Sequence, residues 1–384
     1  MQRLHIANTD FEFELSRTTS LPLEDALEQH PVFLQLQFLP MLYAQVGEGV
    51  AVTALPEEAF YEHLLSLGLW SSRADMPKLV LLHQPLLNAV EQLLPWGRSP
   101  QVAMWANRQS IPFSLPAWET TCQVNSKQYS FNCAPKLPHA RLLWNEGELA
   151  DWLQQGCFDK VLKQCYGFSG RGHRIIPQEF PLTPTAIKAI QTFCQAEWSR
   201  CRPIIAEPWV SRLFDFSTQW YVEEHSEGEM GNGGQTSPVR LLGATVIKNN
   251  ARGAYESTLC GEEKEIFQEY YPFLEQHKAV AHVILKALRQ EGFFGHVGID
   301  ALIYKDLYNP SMALLHPIVE INARQTMSLA ALMFRHKWFP QKKIAFSFSA
   351  PQPHLIPLLP TTLAGKKGTL INFTKQLYLD LDPR

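Results

Sequence analysis

The sequence has no long apolar run. No stretch of its 384 residues approaches the roughly 20 that span a bilayer, which argues against a membrane helix. The opening segment, MQRLHIANTDFEFEL, has no basic region followed by a continuous apolar core, so no secretory leader is expected. Charge of one sign is also lacking: the formal net charge is only -3, too small a bias to suggest a nucleic-acid or membrane-surface partner. Seven cysteines are present, an odd number, with no C-x-x-C pair. That spacing argues against both a disulfide framework and a structural zinc site, and leaves buried free thiols in a reducing cytoplasm as the expectation. There is no G-x-x-x-x-G-K-[ST] phosphate loop. Gly170 and Gly172 do not make a dinucleotide fingerprint either, because position 175 is Ile. Internal repeats and low-complexity tracts are absent.

What remains is an ordinary globular composition, 46% hydrophobic and 18% charged, over a length that suits two or three structural units. In the first hundred residues PKLVLLHQPLL and QVAMWAN read as buried strands, and PEEAFYEHLLSLGLW as an amphipathic helix, together an α/β unit. From Thr121, NEGELADWLQQG reads as a short helix and FDKVLKQCYGFSGRGHRIIP as strand, Gly-rich loop and strand. TPTAIKAIQTFCQAEWSR then reads as a helix with Thr183 as N-cap and Pro184 in its first turn. RPIIAEPWV is a strand running into a hinge. STQWYVEE and VRLLGATVI are strands joined by HSEGEMGNGGQTSP, whose composition predicts mobility. GEEKEIFQEYYPFLEQHKAVAHVILKALRQEG reads as one long helix or two in series, TMSLAALMFRH as a helix, and KKIAFSFSA and GTLINFTKQLYL as further strands. The expected domains are 1–120, 121–210 and 211–384.

The segment HVGIDALIYKDLYNPSMALLHPIVEINAR carries the most chemistry. Asn309-Pro310 marks a turn between two strand-like runs. A hairpin folded about Pro310 sets Asp300 opposite Glu320. On the second strand Glu320, Asn322 and Arg324 alternate with Val319, Ile321 and Ala323, so period two puts the polar set on one face. Facing carboxylates repel, and a divalent cation between them turns repulsion into binding. Asp300, Glu320 and the amide oxygen of Asn322 are hard oxygen donors of the kind Mg²⁺ accepts. A solvated polar strand face is the plainer alternative.

In YGFSGRGHRII, Gly167, Gly170 and Gly172 punctuate a turn between strands and allow backbone N–H groups to approach an anion. Lys163, just before that loop, and Lys127, in VNSKQYS, are point charges suited to phosphate oxygens.

Taken in order, these pieces resemble the ATP-grasp superfamily. Asn125-Ser126-Lys127 resembles the opening of its nucleotide region. Lys163 with GFSGRGH resembles the strand lysine and Gly-rich lid. Glu207 in IIAEPWV resembles the acid that opens the adenine and ribose linker. Asp300 with Glu320-Ile321-Asn322-Ala323-Arg324 resembles the metal acid followed by E-x-N-x-R. Lys248, in TVIKNN, or Arg252 just beyond it, resembles the basic residue that reaches the transferred phosphate. The resemblance covers about residues 121 to 335. One departure is Gly298, which stands where D-alanine–D-alanine ligases carry an arginine two residues before the first metal acid.

The resemblance implies an ATP-grasp α/β (α+β) fold. An N-terminal Rossmann-like α/β domain would precede a small lid subdomain and a C-terminal antiparallel-sheet subdomain. It implies a cytoplasmic ATP-dependent carboxylate–amine ligase that makes an acyl phosphate for attack by an amine. A kinase that stops at phosphate transfer and a non-catalytic nucleotide-binding module are the alternatives. It implies ATP and Mg²⁺ as cofactors, with Mn²⁺ as an alternative metal. The partners would be small-molecule carboxylate and amine substrates, with no nucleic acid, no membrane and a homodimer left open. Lys127, Lys163, Ser169, Gly170, Arg171, Gly172, Glu207, Trp209 and Val210 would bind nucleotide. Asp300, Glu320 and Asn322 would bind metal, and Lys248, Arg252 and Arg324 would supply positive charge to the reaction.

Overall fold

In the computed structural model, which describes all residues except 18, 20, 168–171, 179–181, 225–236, 252, 351, 353, 366–368 and 384, the chain divides into two units. One comprises Met1–Trp118, Glu256–Ile266 and Ala323–Arg384; the other comprises Glu119–Tyr255 and Phe267–Asn322. The expected boundary at 120 falls near the first division. The expected boundary at 210 lies inside the second unit, and residues from Ala323 onward join the first.

In the first unit, four strands run parallel in the order Lys78–Leu81, Gly49–Val52, Arg3–Ile6, Gln92–Pro95. Helices such as Leu23–Glu28 and Glu58–Ser66 connect them, and Pro100–Arg108 follows the last strand. Leu4, Ile6, Leu93, Val102 and Trp105 form part of one buried cluster. QVAMWAN, expected as a strand, is part of the helix Pro100–Arg108. Ser99 accepts from the backbone N–H of Val102 at 3.5 Å and Pro100 occupies the first turn. That Ser-Pro start is a helix N-terminus signal, and it outweighs a short apolar run that by itself suits either element. In PKLVLLHQPLL only Lys78–Leu81 is a strand. It lies at the sheet edge and is half-exposed rather than buried.

The rest of this unit is antiparallel. Tyr255–Cys260, Ile344–Ser349, Gln376–Asp380 and Ile356–Pro357 pair in that order, and Leu370–Asn372 pairs with Thr362–Ala364. The helix Met327–Trp338 is capped by Thr326, which accepts from the N–H of Leu329 at 3.1 Å.

The second unit holds two antiparallel sheets. The smaller has the order Arg141–Leu143, Ile204–Pro208, Lys160–Lys163, His173–Ile176. Two helices, Glu146–Leu153 and Pro184–Trp198, bury Leu149, Trp152, Ile190 and Cys194 against Leu162 and Ile204. Thr183 caps the second of these helices as the sequence predicts, accepting from Ala186 N–H at 3.2 Å with Pro184 in the first turn. In the larger set the order is Ala313–Asn322, Gly295–Lys305, Arg212–Val222, Val239–Asn249. The long helical segment is two helices in series, Glu263–Phe267 and Tyr271–Gln290, separated by a 3-10 turn; Pro272 sits in the first turn of the second.

All seven cysteines are free thiols. Cys165, Cys194 and Cys260 are buried, but Cys157 and Cys201 are exposed, contrary to the expectation of uniform burial. No helix among the described residues is long and apolar enough to cross a membrane.

Candidate functional site

The hairpin registers as the turn signal suggests. Asp300 is the direct partner of Glu320, and Gly298 of Asn322. The next strand continues the same face with Ser217 beside Asp300 and Gln219 beside Gly298, and Thr245 lies beside Ser217 one strand further. Asn322 Nδ2 donates to Asp300 Oδ2 at 3.1 Å, and Gln219 Nε2 donates to Ser217 Oγ at 2.7 Å. One sheet face is therefore a polar row. The opposite face is packed with Phe216, Trp220, Ile299, Ala301 and Ile321.

Within that packed face, His277 donates from Nδ1 to the Pro317 carbonyl at 2.8 Å, and its Nε2 accepts from Thr218 Oγ1 at 2.6 Å. Burial pushes its pKa down to about 4, so it is a neutral structural histidine.

Past Asp300 the ladder shifts. Leu302 faces His316, so two steps on one strand meet four on the other, from Glu320 to His316. Pro317 lies in this bulge, where a residue without an N–H is tolerated. The bulge interrupts the strict alternation, and His316, Ile318 and Val319 all come to line one cleft.

Lys127, Lys136 and Lys163 line the same cleft, and the first and last of them form ion pairs with carboxylates. Lys127 opens the helix Lys127–Cys133, whose N-cap Ser126 accepts from Tyr129 N–H at 3.1 Å. Its Nζ donates to the Gly167 carbonyl at 2.7 Å and forms an ion pair with Glu320. The helix is pinned at both flanks: Lys127 N–H donates to the Cys165 carbonyl at 2.9 Å, and Ile321 N–H donates to Ser130 Oγ at 3.0 Å. Lys163 ends its strand opposite Ile205, which places it diagonally across from Glu207 on the same sheet face. Its Nζ meets Glu207 Oε2 at 2.5 Å.

Glu207 is buried. Desolvation raises its pKa, but Lys163, then His316 and Lys127, act against it, and the carboxyl ends below its ordinary range. His316 is pushed down to about 4, chiefly by burial and further by Lys163, while Glu207 and the bond to the Pro135 carbonyl act in the other direction. Phe131, Ile205 and Ile318 supply apolar walls. The cleft thus combines cations, one buried carboxylate and apolar walls.

The other sequence-selected residues have distinct settings. Gly172 has φ +77°, the left-handed region that favours glycine, and its carbonyl accepts from Gln164 N–H at 2.8 Å, closing the base of the Gly-rich turn. Trp209 stacks on His173 at 6.2 Å, and its N–H donates to the Asp159 carbonyl at 2.7 Å. Val210 is buried with Leu137, Leu302 and Tyr304. Lys248 is exposed on its strand. Arg324 belongs to the first unit, where Nη2 pairs with Glu12 Oε1 at 2.6 Å. Ser169, Gly170, Arg171 and Arg252, and residues 225–236 of the joining stretch, lie outside the described residues. Sequence reasoning passed over His316, Ser217 and Gln219. The alternation Ser217, Gln219, Tyr221 against Phe216, Thr218, Trp220 could have revealed the latter two, whereas His316 depends on the bulge.

Among the described residues no three His, Cys, Asp or Glu side chains cluster as a complete metal cage. The pair of facing carboxylates with Asn322 beside them is an all-oxygen donor set. It fits a hard cation that keeps few protein ligands and fills its shell with phosphate oxygens and water.

No family model matches the chain, and no curated protein matches it. Solved structures of weak overall likeness exist. One is the biotin carboxylase domain dimer of Hydrogenobacter thermophilus 2-oxoglutarate carboxylase in complex with MgADP, ADP and bicarbonate. It is 14% identical over 72% of this chain, with TM-score 0.46, and this chain spans 66% of it. Others are the N5-carboxyaminoimidazole synthetase of Staphylococcus aureus complexed with ADP (10% identity, 89% and 95% of the two chains, TM-score 0.48) and the corresponding ribonucleotide synthetase of Thermus thermophilus (13%, 99% and 93%, TM-score 0.47). Biotin carboxylase and N5-carboxyaminoimidazole synthetase are ATP-grasp ligases. With TM-scores below 0.5, these likenesses carry no conclusion about the activity of this chain.

Proposed function

We propose that the chain binds Mg-ATP at the cleft between Lys127, Lys163 and Glu207 and uses it to activate a substrate carboxylate for attack by an amine. The observation that carries this reading is the Lys127–Glu320 ion pair. It joins a cation lining the cleft to the carboxylate that faces Asp300, from positions 193 apart in sequence.

Asp300, Glu320 and Asn322 are the residues that would hold the cation. When bound, it would supply positive charge that offsets the charge of the phosphates. Lys127 and Lys163 supply fixed positive charge where phosphate oxygens gain negative charge during transfer. The apolar walls, with Ile205 and Ile318 among them, exclude water, so charges in the cleft interact strongly. The balanced sequence begins with attack of the carboxylate oxygen on the γ-phosphorus, giving an acyl phosphate and ADP. The amine then attacks the acyl carbon, phosphate leaves, and the amine loses one proton. No side chain of the protein need act as a covalent nucleophile.

The test is ADP release with Mg²⁺ over a panel of amino acids and small carboxylates, with mass spectrometry of every active mixture. An amide product supports ligation, and a phosphorylated product without an amide means a kinase. No ADP with any substrate, together with no nucleotide binding in calorimetry, overturns the reading.

A further inference from the structure

Away from the cleft, the first unit gathers buried polar atoms that nothing around them satisfies. Ten buried side-chain atoms have no hydrogen-bond partner among the described residues, and five of them fall in two short loops: Thr9 Oγ1, Asp10 Oδ1, Glu14 Oε2 and both ends of the Gln101 amide. Asp10 is fully buried, and Gln101, Thr9 and Glu14 are 1%, 6% and 7% exposed. Such a concentration needs an occupant, because a buried polar group without a partner is costly.

The topology brings these loops together. One follows the strand Arg3–Ile6 and the other follows its parallel neighbour Gln92–Pro95. From Arg3–Ile6 the chain first builds the sheet to one side, through Gly49–Val52 and Lys78–Leu81, and then returns to add Gln92–Pro95 on the other. The carboxyl ends of this strand pair are therefore a topological switch point, where the two outgoing loops diverge and leave a crevice. Asn8 spans it: its Nδ2 donates to the Gly97 carbonyl at 3.0 Å, and its Oδ1 accepts from Gly97 N–H at 3.0 Å.

The two acids meet in this crevice. Glu14 N–H donates to the Asp10 carbonyl at 3.2 Å, so the side chains lie one helical turn apart on the same face. Glu14 Oε1 accepts from the backbone N–H of Gln101 at 3.0 Å, which sets its unpaired oxygen beside the residue whose own amide is unpaired. Arg17 Nη1 donates to Asp10 Oδ2 at 3.1 Å, while its Nη2 is taken by Gln29 Oε1 at 2.8 Å. The adjoining Glu12 is paired with Arg324 at 2.6 Å. Two buried carboxylates thus share one guanidinium, and one negative charge is left over.

Both charge and chemistry specify the occupant. The unpaired atoms of Asp10 and Glu14 only accept, and Thr9 and Gln101 add a hydroxyl and an amide oxygen. Four hard oxygens suit a hard cation, and a single surplus negative charge is balanced by a monovalent one. Water supplies donors without charge, and Mg²⁺ would exceed the charge it meets. We propose that the crevice binds an alkali cation, Na⁺ or K⁺, through Thr9 Oγ1, Asp10 Oδ1, Glu14 Oε2 and Gln101 Oε1, and that the cation ties the first loop to the start of the helix Pro100–Arg108. Water in the shell of the cation takes the Gln101 amide N–H groups. The proposal is independent of the nucleotide reading.

The experiment is thermal unfolding of the full chain at pH 8 in NaCl, KCl or choline chloride at equal ionic strength, with EDTA to remove divalent ions. The wild-type midpoint is expected to be higher by about 3 °C or more in at least one alkali salt than in choline, and to saturate with concentration. Glu14→Gln and Gln101→Leu should each reduce that difference below about 1 °C, whereas Asp300→Asn, in the other unit, should keep it. In choline, Glu14→Gln should be more stable than wild type, because it removes a buried charge, and the alkali salt should narrow that gap. Should the variants not fold, hydrogen exchange on the wild type decides: peptides covering 7–17 and 97–105 are expected to exchange about threefold more slowly or better in the alkali salt, with peptides of the second unit unchanged. Equal wild-type midpoints in all three salts mean that water or a proton fills the crevice and overturn the proposal. A shift that both variants retain, or protection spread evenly over both units, marks a general salt effect and overturns it as well.

Discussion

Lys127 and Glu320 form an ion pair between a helix N-terminus and the first residue of the E-x-N-x-R segment. Glu320 also faces Asp300, so it neutralises one cation while leaving a second, acidic side of the hairpin for another. If the proposed function holds, Glu320→Gln lowers the rate of nucleotide turnover by about 100-fold or more, the scale seen when one transition-state electrostatic partner is lost. The unfolding midpoint should change little. ADP release and urea unfolding on the same sample check both. Turnover at the wild-type rate would remove Glu320 from the reaction.

Asp300→Asn tests the cation more directly. The amide keeps the shape and the strand pairing but halves the carboxylate charge facing across the hairpin. The Mg²⁺ concentration giving half-maximal turnover should rise by about tenfold, with saturating metal restoring part of the activity. An unchanged metal dependence counts against the carboxylate pair as ligands.

Lys163 and Glu207 are a partly buried pair, and removing the lysine strands the buried carboxylate. Lys163→Ala should destabilise the protein by about 3 kcal/mol, whereas the double change to Met and Leu should cost far less. Because Glu207 titrates below its ordinary value of 4.5, the stability it contributes is complete above about that pH and is lost as pH falls further. Urea midpoints of wild type and Glu207→Gln should therefore differ at pH 7 and converge as pH falls below 4.5.

The two units should respond to pH with opposite sign. In the second, His277 and His316 are both pushed from 6.5 to about 4, so the stability they contribute is present above 6.5 and is lost as pH falls toward 4. In the first, burial raises Glu14 from 4.5 to about 7, with a Ser99 hydroxyl and the Gln101 N–H only partly opposing it. Its contribution is present below 4.5 and is lost as pH rises through 7. Glu14→Gln should thus stabilise the first unit by about 2 kcal/mol at pH 8 and not at pH 4.5. Hydrogen exchange resolved by peptide, at both pH values, distinguishes the units.

The order of elements was legible wherever a local signal had no competitor. Thr183-Pro184 fixed a helix start because a capping hydroxyl and a proline in the first turn act within four residues. Asn309-Pro310 centred the hairpin, and period two then set Asp300 against Glu320. The short apolar run QVAMWAN was misleading because such a run suits a buried strand and a buried helix face equally; the cap outside the run decided it. The tertiary structure decided what no local pattern encodes. Lys127 meets Glu320 because a helix and a hairpin far apart in sequence pack together, and the sequence held only two isolated charges. His316 enters the cleft because the ladder shifts at Pro317, and a bulge is a property of two paired strands rather than of either one. Arg324, two residues past Asn322 and on the same face by simple alternation, pairs instead with Glu12 in the first unit, because the strand ends at Asn322 and period two ends with it.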